Sequence, residues 1–526
     1  MWKMSVFLSI IWAVNLLYGE WFAFLIPSLS TCSWPHLQPS SSSSSSQLNE
    51  VENGSDYVKI AVVADPQLMD KTSLPLAPKS LALEIVQFYT DLYMRRAFVS
   101  SVLAFNPDVV LFLGDYFDGG YILSDQEWEE SLGRFKHIFN LNILRKNSNI
   151  KLYYISGNHD IGYENVNSRN PEIVKRHERE FGGSNFKVTL GKVDFIAIDS
   201  QTLDGHPQGK LTSETWDFVK NASQDIYSNP RVLLTHIPLY RPDFTPCGPH
   251  RSSPIVNQRI YRDGQNQEIW YQNYVTKNST EVLLDLVRPA LILSGHDHDQ
   301  CTVTHMSKNV PVTEQTVGTI SWQQGNLYPS FMLISATNNS TTTPQDAIST
   351  QLCFLPMQTH IYLWYLSLFV MTLITVLVWP ANEVVISRKL GNIMGNIKNI
   401  YSSFRSAIKE KNEDENCEYE EIWDAEGSMH LIKKAKKVSS TFVNESTSIE
   451  RGNAVMRSKV RKQAGPEGDA STNPDVSIYV GSVRANRSRG KMVIWRLLRG
   501  LRAIIVVAAI NVPLYVLLVF KDWIDK

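Results

Sequence analysis

Three short strings, Gly114-Asp115-Tyr116-Phe117-Asp118, Gly157-Asn158-His159-Asp160 and Gly295-His296-Asp297-His298, each follow an apolar run rich in β-branched residues. Such a run, stopped by glycine and then by polar residues, reads as a buried strand leaving the core at its carboxyl end. Two more runs behave alike: residues 58–64 stop at Asp65, and residues 231–234 stop at Thr235-His236. Strands that all deliver Asp, Asn or His at their carboxyl ends restrict the chain to an open α/β arrangement, where such ends form the binding edge. The intervening chain agrees. Residues 89–105 have helical spacing and break at Asn106-Pro107; residues 212–220 read as a helix. Residues 186–198, interrupted by Gly191-Lys192, read as a hairpin, and residues 331–334 read as a closing strand. The expected fold class is α/β, with layered mixed β-sheets flanked by helices.

Asp65, Asp115, Asn158, His236, His296 and His298 carry the oxygen and imidazole donors that divalent cations take. Each string alone has a plainer reading. A lone histidine after a strand is commonly a core residue, Gly-Asn-His-Asp can be a turn, and Gly-Asp-x-x-Asp can cap a helix. Their joint occurrence, in order and each at a strand end, favours a metal site.

The chain has 526 residues and a formal net charge of -1, so no global basic field points to nucleic acid. Its 5 cysteines include no Cys-x-x-Cys pair, which argues against a zinc ribbon or a dense disulfide scaffold. Residues 361–379 and 503–520 are uncharged and long enough to cross a hydrocarbon core of about 30 Å. A third apolar run starts at Met4 and reaches Ile26 with Glu20 inside it; it reads either as a signal anchor or as a cleaved signal peptide. Residues 381–502 hold 22 Lys/Arg against 15 Asp/Glu, which favours the cytosolic side for that loop. The part before 361 would then be luminal, where Asn-x-Ser/Thr sequons at Asn53, Asn221, Asn278, Asn338 and Asn339 agree weakly. Cys247 and Cys301, each near a motif histidine, could bridge in an oxidising space.

The expected organisation is an N-terminal anchor over 1–28, a Ser-rich linker over 29–56 and a catalytic domain over 57–340. A linker over 341–360 leads to a transmembrane helix over 361–380. A largely disordered cytosolic loop spans 381–502, a second helix 503–520 and a short luminal tail 521–526.

The ordered set Asp-x-x, Gly-Asp-x-x-Asp, Gly-Asn-His-Asp, lone His and Gly-His-x-His resembles the calcineurin-like metallophosphoesterase superfamily over about residues 58–340. The resemblance implies two divalent metal ions, with Asp115 bridging them. Asp65 and His298 would complete one site; Asn158, His236 and His296 would complete the other. A hydroxide between the ions would attack phosphorus in line, with His159 as general acid supported by Asp118. The family usually has Asp-x-His at the first motif, whereas this chain has Asp65-Pro66-Gln67. Gln67 either coordinates through its amide oxygen, which suits Mn²⁺ or Mg²⁺ better than Zn²⁺, or leaves that position open. Val63-Ala64-Asp65-Pro66-Gln67-Leu68, Gly119-Gly120, Ser321-Trp322 and Tyr328-Pro329-Ser330-Phe331 are similar to a membrane-bound branch. That branch contains a GPI-glycan ethanolamine-phosphate phosphodiesterase and fungal cell-division-control relatives. It implies Mn²⁺ as metal, GPI-anchored proteins or GPI glycolipid as substrate, and endoplasmic reticulum or Golgi membranes as the location. The alternatives are a phosphoesterase acting on another lipid or small phosphate ester, and a non-catalytic membrane adaptor with a vestigial metal site.

Overall fold

The computed structural model describes residues 2–37, 56–206, 208–224, 229–251, 259–264, 268–308, 310–339, 343–379, 417–423, 429–435 and 489–524. Strand β1 (Tyr57–Val63) pairs in parallel with β2 (Val109–Phe112), and β2 with β3 (Lys151–Tyr154). The hairpin β4 (Phe186–Leu190) and β5 (Val193–Ile198) is followed by β6 (Arg231–Thr235). A short hairpin, β7 (Ile260–Arg262) and β8 (Ile269–Gln272), stands apart as its own small sheet. Then come β9 (Leu291–Ser294), β10 (Cys301–Ser307), β11 (Val310–Thr316), β12 (Ser330–Thr337) and β13 (Ile348–Phe354). One mixed sheet has the order β13-β12-β1-β2-β3; the other has the order β10-β11-β9-β6-β5-β4.

The packing follows from the two-residue period of a strand. Ile60, Val62, Val109, Leu111, Phe195, Ala197, Val232, Leu234, Leu291 and Leu293 point from both sheets into one shared core. Their alternates on the first sheet, Ala61, Val63, Val110 and Phe112, pack outwards among Met94, Phe98, Leu132 and Phe135. After the first helix, α1 (Trp2–Leu17), those partners come from helices α2 (Leu81–Arg96, continuing through Val102) and α3 (Asp125–Ile138). The outward alternates of the second sheet, Ile196, Leu233 and Ile292, meet Val219, Leu283 and Leu284. These belong to α4 (Lys210–Ser223) and α5 (Lys277–Val287). The domain is thus a layered α/β/β/α sandwich, as the strand pattern implied.

Several boundaries differ from the sequence expectation. Strand β13 lies where a linker over 341–360 was expected, and it is hydrogen-bonded along β12 to form the sheet edge. Cys32 is bridged to Cys353, Trp34 donates to the Phe105 carbonyl at 3.1 Å, and the Pro35 carbonyl accepts from Ser335 at 2.7 Å. Residues 32–35 therefore dock on the domain rather than trail as linker. Helix α3 was not anticipated, although Ser124-x-x-Glu127 is a complete capping box at its start. Most of 381–502 lies outside the described residues; within it, Cys417–Trp423 and Met429–Ala435 pair as an antiparallel hairpin.

Among the described residues, three helices are long and apolar enough to cross a membrane: Trp2–Thr31, Gln358–Val378 and Val493–Trp523. The protein is membrane-associated and multi-pass in character. Glu20, which interrupts the first apolar run, is buried and pairs with Arg96 at the end of α2. Arg96 also donates through Nε to Asp522 at 2.8 Å, at the end of the last helix. Ser101 donates to the Phe24 carbonyl at 2.6 Å, and Tyr93 donates to the Pro356 carbonyl at 2.8 Å. The continuous segment from α2 to Val102 thus contacts the first apolar helix, the last one, and the chain entering the middle one.

Arg96→Met would strand Glu20 as a buried charge, which typically costs about 3–5 kcal/mol. Denaturant unfolding of the full chain in detergent should show a loss of that order, with partial recovery in the Glu20→Gln/Arg96→Met double variant. An unshifted midpoint in the single variant would refute the coupling.

Candidate metal centre

Each candidate ligand stands just beyond the carboxyl end of a strand: Asp65 after β1, Asp115 after β2, Asn158 after β3, His236 after β6, and His296 and His298 after β9. The turns are sharp. Asp65 (φ 48°), Asp115 (φ 54°), His296 (φ 68°) and His298 (φ 58°) all lie in the left-handed region. For non-glycine residues this conformation costs about 1–3 kcal/mol each and clusters at functional sites. Two neighbouring glycines make the approach sterically feasible. Gly114 has φ +92°, and a Cβ there would press on His236 Nδ1; a Cβ on Gly157 would overlap the Asp115 carboxylate and amide.

The side chains converge in two overlapping groups. Asp115, His236 and His296 offer one ligand atom each within 4.8 Å of one another, and so do Asp65, Asp115 and His298. Asp115 belongs to both groups. Asn158 joins the first through Oδ1, 3.2 Å from His236 Nε2. His236 Nδ1 is 2.7 Å from the Leu113 carbonyl, so it donates there and leaves Nε2 facing Asp115 at 3.2 Å. In the same way His296 Nε2 lies 3.1 Å from the Gln272 carbonyl, which turns Nδ1 to the site.

The electrostatics fit a cationic occupant. Burial, opposed by His236 and reinforced by the Asp115 charge, pushes Asp65 up to about 8. Burial also works against the Asp115 charge, but the imidazoles of His236 and His159 outweigh it and hold that carboxyl below its ordinary range. Burial, then the neighbouring His236, drives His296 down to about 3, and burial lowers His298 too. Asp115 is thus held ionised by its imidazole neighbours, while burial keeps Asp65 from ionising and His296 and His298 neutral, so an added cation would ionise Asp65 as well and meet neutral imidazole donors. Oxygen, imidazole and amide donors together suit divalent first-row ions and Mg²⁺. These residues fit a dinuclear metal centre.

Gln67, at φ 39°, directs its amide nitrogen to Asp115 Oδ2 at 3.2 Å. In this arrangement it steadies the shared carboxylate. His159, half-buried, is fixed by its own amide, which donates to Asp115 Oδ1 at 2.8 Å. Its Nδ1 lies 2.5 Å from the main-chain carbonyl of Asp118, while the Asp118 carboxylate is 3.7 Å away. The partner expected from the Asp118 side chain is therefore mainly its backbone. A carbonyl can only accept, so Nδ1 carries the proton and Nε2 is left free for another group.

Asp160 was not singled out from the sequence. Its Oδ1 accepts from the amides of Tyr116 and Phe117 at 2.7 and 3.3 Å, and its Oδ2 accepts from Gly157 at 2.8 Å. It ties the two central motif loops together. Its place as fourth residue of Gly-Asn-His-Asp, where a capping carboxylate belongs, was the available signal.

Gly157→Ala should weaken Mn²⁺ binding by roughly 10–100-fold in a calorimetric titration, because the new methyl displaces Asp115; unaltered affinity would refute the packing argument. His177 stacks on Tyr116 with ring centroids 5.9 Å apart, and burial lowers its pKa to about 3. The unfolded chain takes that proton near the ordinary 6.5. Folding stability should therefore fall as the pH drops from 6.5 towards 3, and His177→Phe should flatten that slope in pH-dependent unfolding.

Comparison with known proteins agrees with this geometry. Residues 58–300 match the family described as Calcineurin-like phosphoesterase. "Cell division control protein 1" of Saccharomyces cerevisiae is 27% identical over 382 residues, covering 68% of this chain and 72% of that protein. "Metallophosphoesterase 1 homolog" of Drosophila melanogaster is 27% identical over 367 residues, covering 66% and 86%. "Metallophosphoesterase 1" of Danio rerio is 31% identical over 296 residues, covering 52% and 71%. With two ligand groups sharing one carboxylate at the strand ends of a matching domain, the chain belongs to the calcineurin-like metallophosphoesterase superfamily and has the site of a metal-dependent phosphoric ester hydrolase.

Proposed function

We propose that this protein is a membrane-anchored phosphodiesterase that removes ethanolamine phosphate from the GPI glycan, on the luminal side of endoplasmic reticulum or Golgi membranes, with Mn²⁺ as its metal. The observation that carries the reading is a dinuclear donor set in a domain joined through Arg96 to helices able to cross a membrane. A substrate confined to the bilayer would meet such a site by two-dimensional diffusion. The motif neighbourhood shared with the membrane-bound branch supports the substrate class, and the basic 381–502 segment supports a luminal catalytic domain. The bridges Cys32–Cys353 and Cys247–Cys301 suit an oxidising compartment.

Asp115, with Asp65 and His298 on one side and Asn158, His236 and His296 on the other, would hold the two ions. When bound, they supply Lewis-acid polarisation of the phosphate and a water acidic enough to act as nucleophile at neutral pH. His159 acts on the leaving oxygen. Burial opposes its charge, but Asp115 and the Asp118 carbonyl raise its pKa above the ordinary value, so the ring is held as a proton donor. Asp65, Asp115 and His236 are fully buried, whereas His159, His296 and His298 are partly exposed, so substrate approaches over the three histidines.

The test is release of ethanolamine phosphate from a GPI-anchored protein by the full chain in detergent with added Mn²⁺. Wild type should release it. His159→Ala should lower kcat by roughly 10²–10⁴-fold, the usual contribution of a positioned proton donor, while Mn²⁺ stoichiometry stays unchanged. Turnover of small phosphate esters alone would replace this substrate assignment with the broader phosphoesterase reading.

A further inference from the structure

A cluster of charges beneath the Gly295-His296-Asp297-His298 loop takes no part in the reaction described above. Asp297 stands between His296 and His298, both at positive φ. Such residues persist only where their surroundings over-determine them. Asp297 provides that hold. Arg251 donates through both terminal nitrogens to its two carboxylate oxygens, at 2.8 and 3.0 Å. Tyr274 approaches the same carboxylate at 3.4 Å and Arg241 at 3.7 Å. Arg241 is fully buried and is held by Glu314 at 3.2 Å; Glu314 in turn accepts from Ser294 and contacts His305, each at 2.7 Å.

Arg251 belongs to no helix or strand; it lies on the chain that runs from the end of β6 past Cys247. Cys247 is bridged to Cys301, the first residue of β10, only three positions beyond His298. The bridge therefore pins the loop carrying Arg251 to the chain that carries the ligands. The fork from Arg251 and the bridge constrain the same short segment, one through Asp297 and one through its C-terminal end.

We propose that Arg251 is a positioning residue for the dinuclear centre: carried on a strap that the Cys247–Cys301 bridge fastens, it grips Asp297 and so sets the backbone of both His296 and His298. The inference rests on the metal reading of the site and not on the identity of the substrate. It also predicts a sign that charge alone would not give. Removing a nearby cation should by itself favour metal binding, through lost repulsion. Loss of a positioning contact should weaken it.

The experiment is calorimetric Mn²⁺ titration, with the electron paramagnetic resonance spectrum of bound Mn²⁺ as a second readout, on the full chain in detergent. The variants are Arg251→Ala, Arg251→Lys, Cys247→Ser/Cys301→Ser, and the combination of Arg251→Ala with both serines. Arg251→Ala should weaken binding by about 10–100-fold. Arg251→Lys should recover only part of it, since an ammonium cannot form the two-pronged contact. The bridge-free variant should lose a similar factor, and the combined variant should be no weaker than the worse of the two, because both act through one contact. Wild-type affinity in Arg251→Ala, full recovery in Arg251→Lys, or losses that multiply in the combination would each overturn the proposal. A wild type that binds no Mn²⁺ would overturn the metal reading beneath it.

Discussion

The Asp115 carboxylate is the constraint around which this domain is arranged. It is fully buried, and a charge in that position needs partners on every side. They come from the ends of three other strands: Gln67 beyond β1, the His159 amide beyond β3, and His236 beyond β6. The first two lie on one sheet with Asp115 and the third on the other. The two sheets must therefore pack with these edges in register. The shared apolar core between them, built from alternate residues of β1, β2, β6 and β9, is what brings the loops together. Stability and chemistry meet here, because the arrangement that satisfies one buried charge also assembles two ligand groups.

Much of this was legible in the chain. Strands β2 and β9, and β1 and β6 beyond Lys59 and Arg231, are buried on both faces, so they read as apolar runs, and each announces its end with a glycine or a polar ligand candidate. The candidate ligands were legible only jointly, since each string alone has a plainer use; the structure brings these residues together. The rest depended on tertiary partners. Strand β13 is a half-exposed edge with a mixed pattern, and its place is fixed by pairing with β12. Glu20 looked out of place in an apolar helix because its partner, Arg96, lies 76 residues away. The role of Asp118 was read from its carboxylate, yet its backbone carbonyl is nearer to His159; a sequence displays side chains and conceals which main-chain groups they displace.

The family pattern and the peculiarity of this chain meet at Gln67. Where the family usually places a histidine, the amide here reaches Asp115. A neutral donor on the shared carboxylate lowers its basicity without adding charge, which bears on how tightly a hard cation is retained. The departure leaves both ligand groups intact and places an amide against the carboxylate that they share.

The bridge between Cys32 and Cys353 joins the chain just after the first apolar helix to the strand just before the second. Together with Arg96, it leaves no slack between the catalytic domain and the helices that anchor it. An enzyme on a floppy stalk samples a range of heights above its bilayer and can serve substrates of many lengths. Here a disulfide and two ion pairs hold the domain against the ends of its apolar helices, which leaves little play between them. For the lipid-linked substrate proposed above, such a tether would favour phosphate esters at a matching distance from their own anchor.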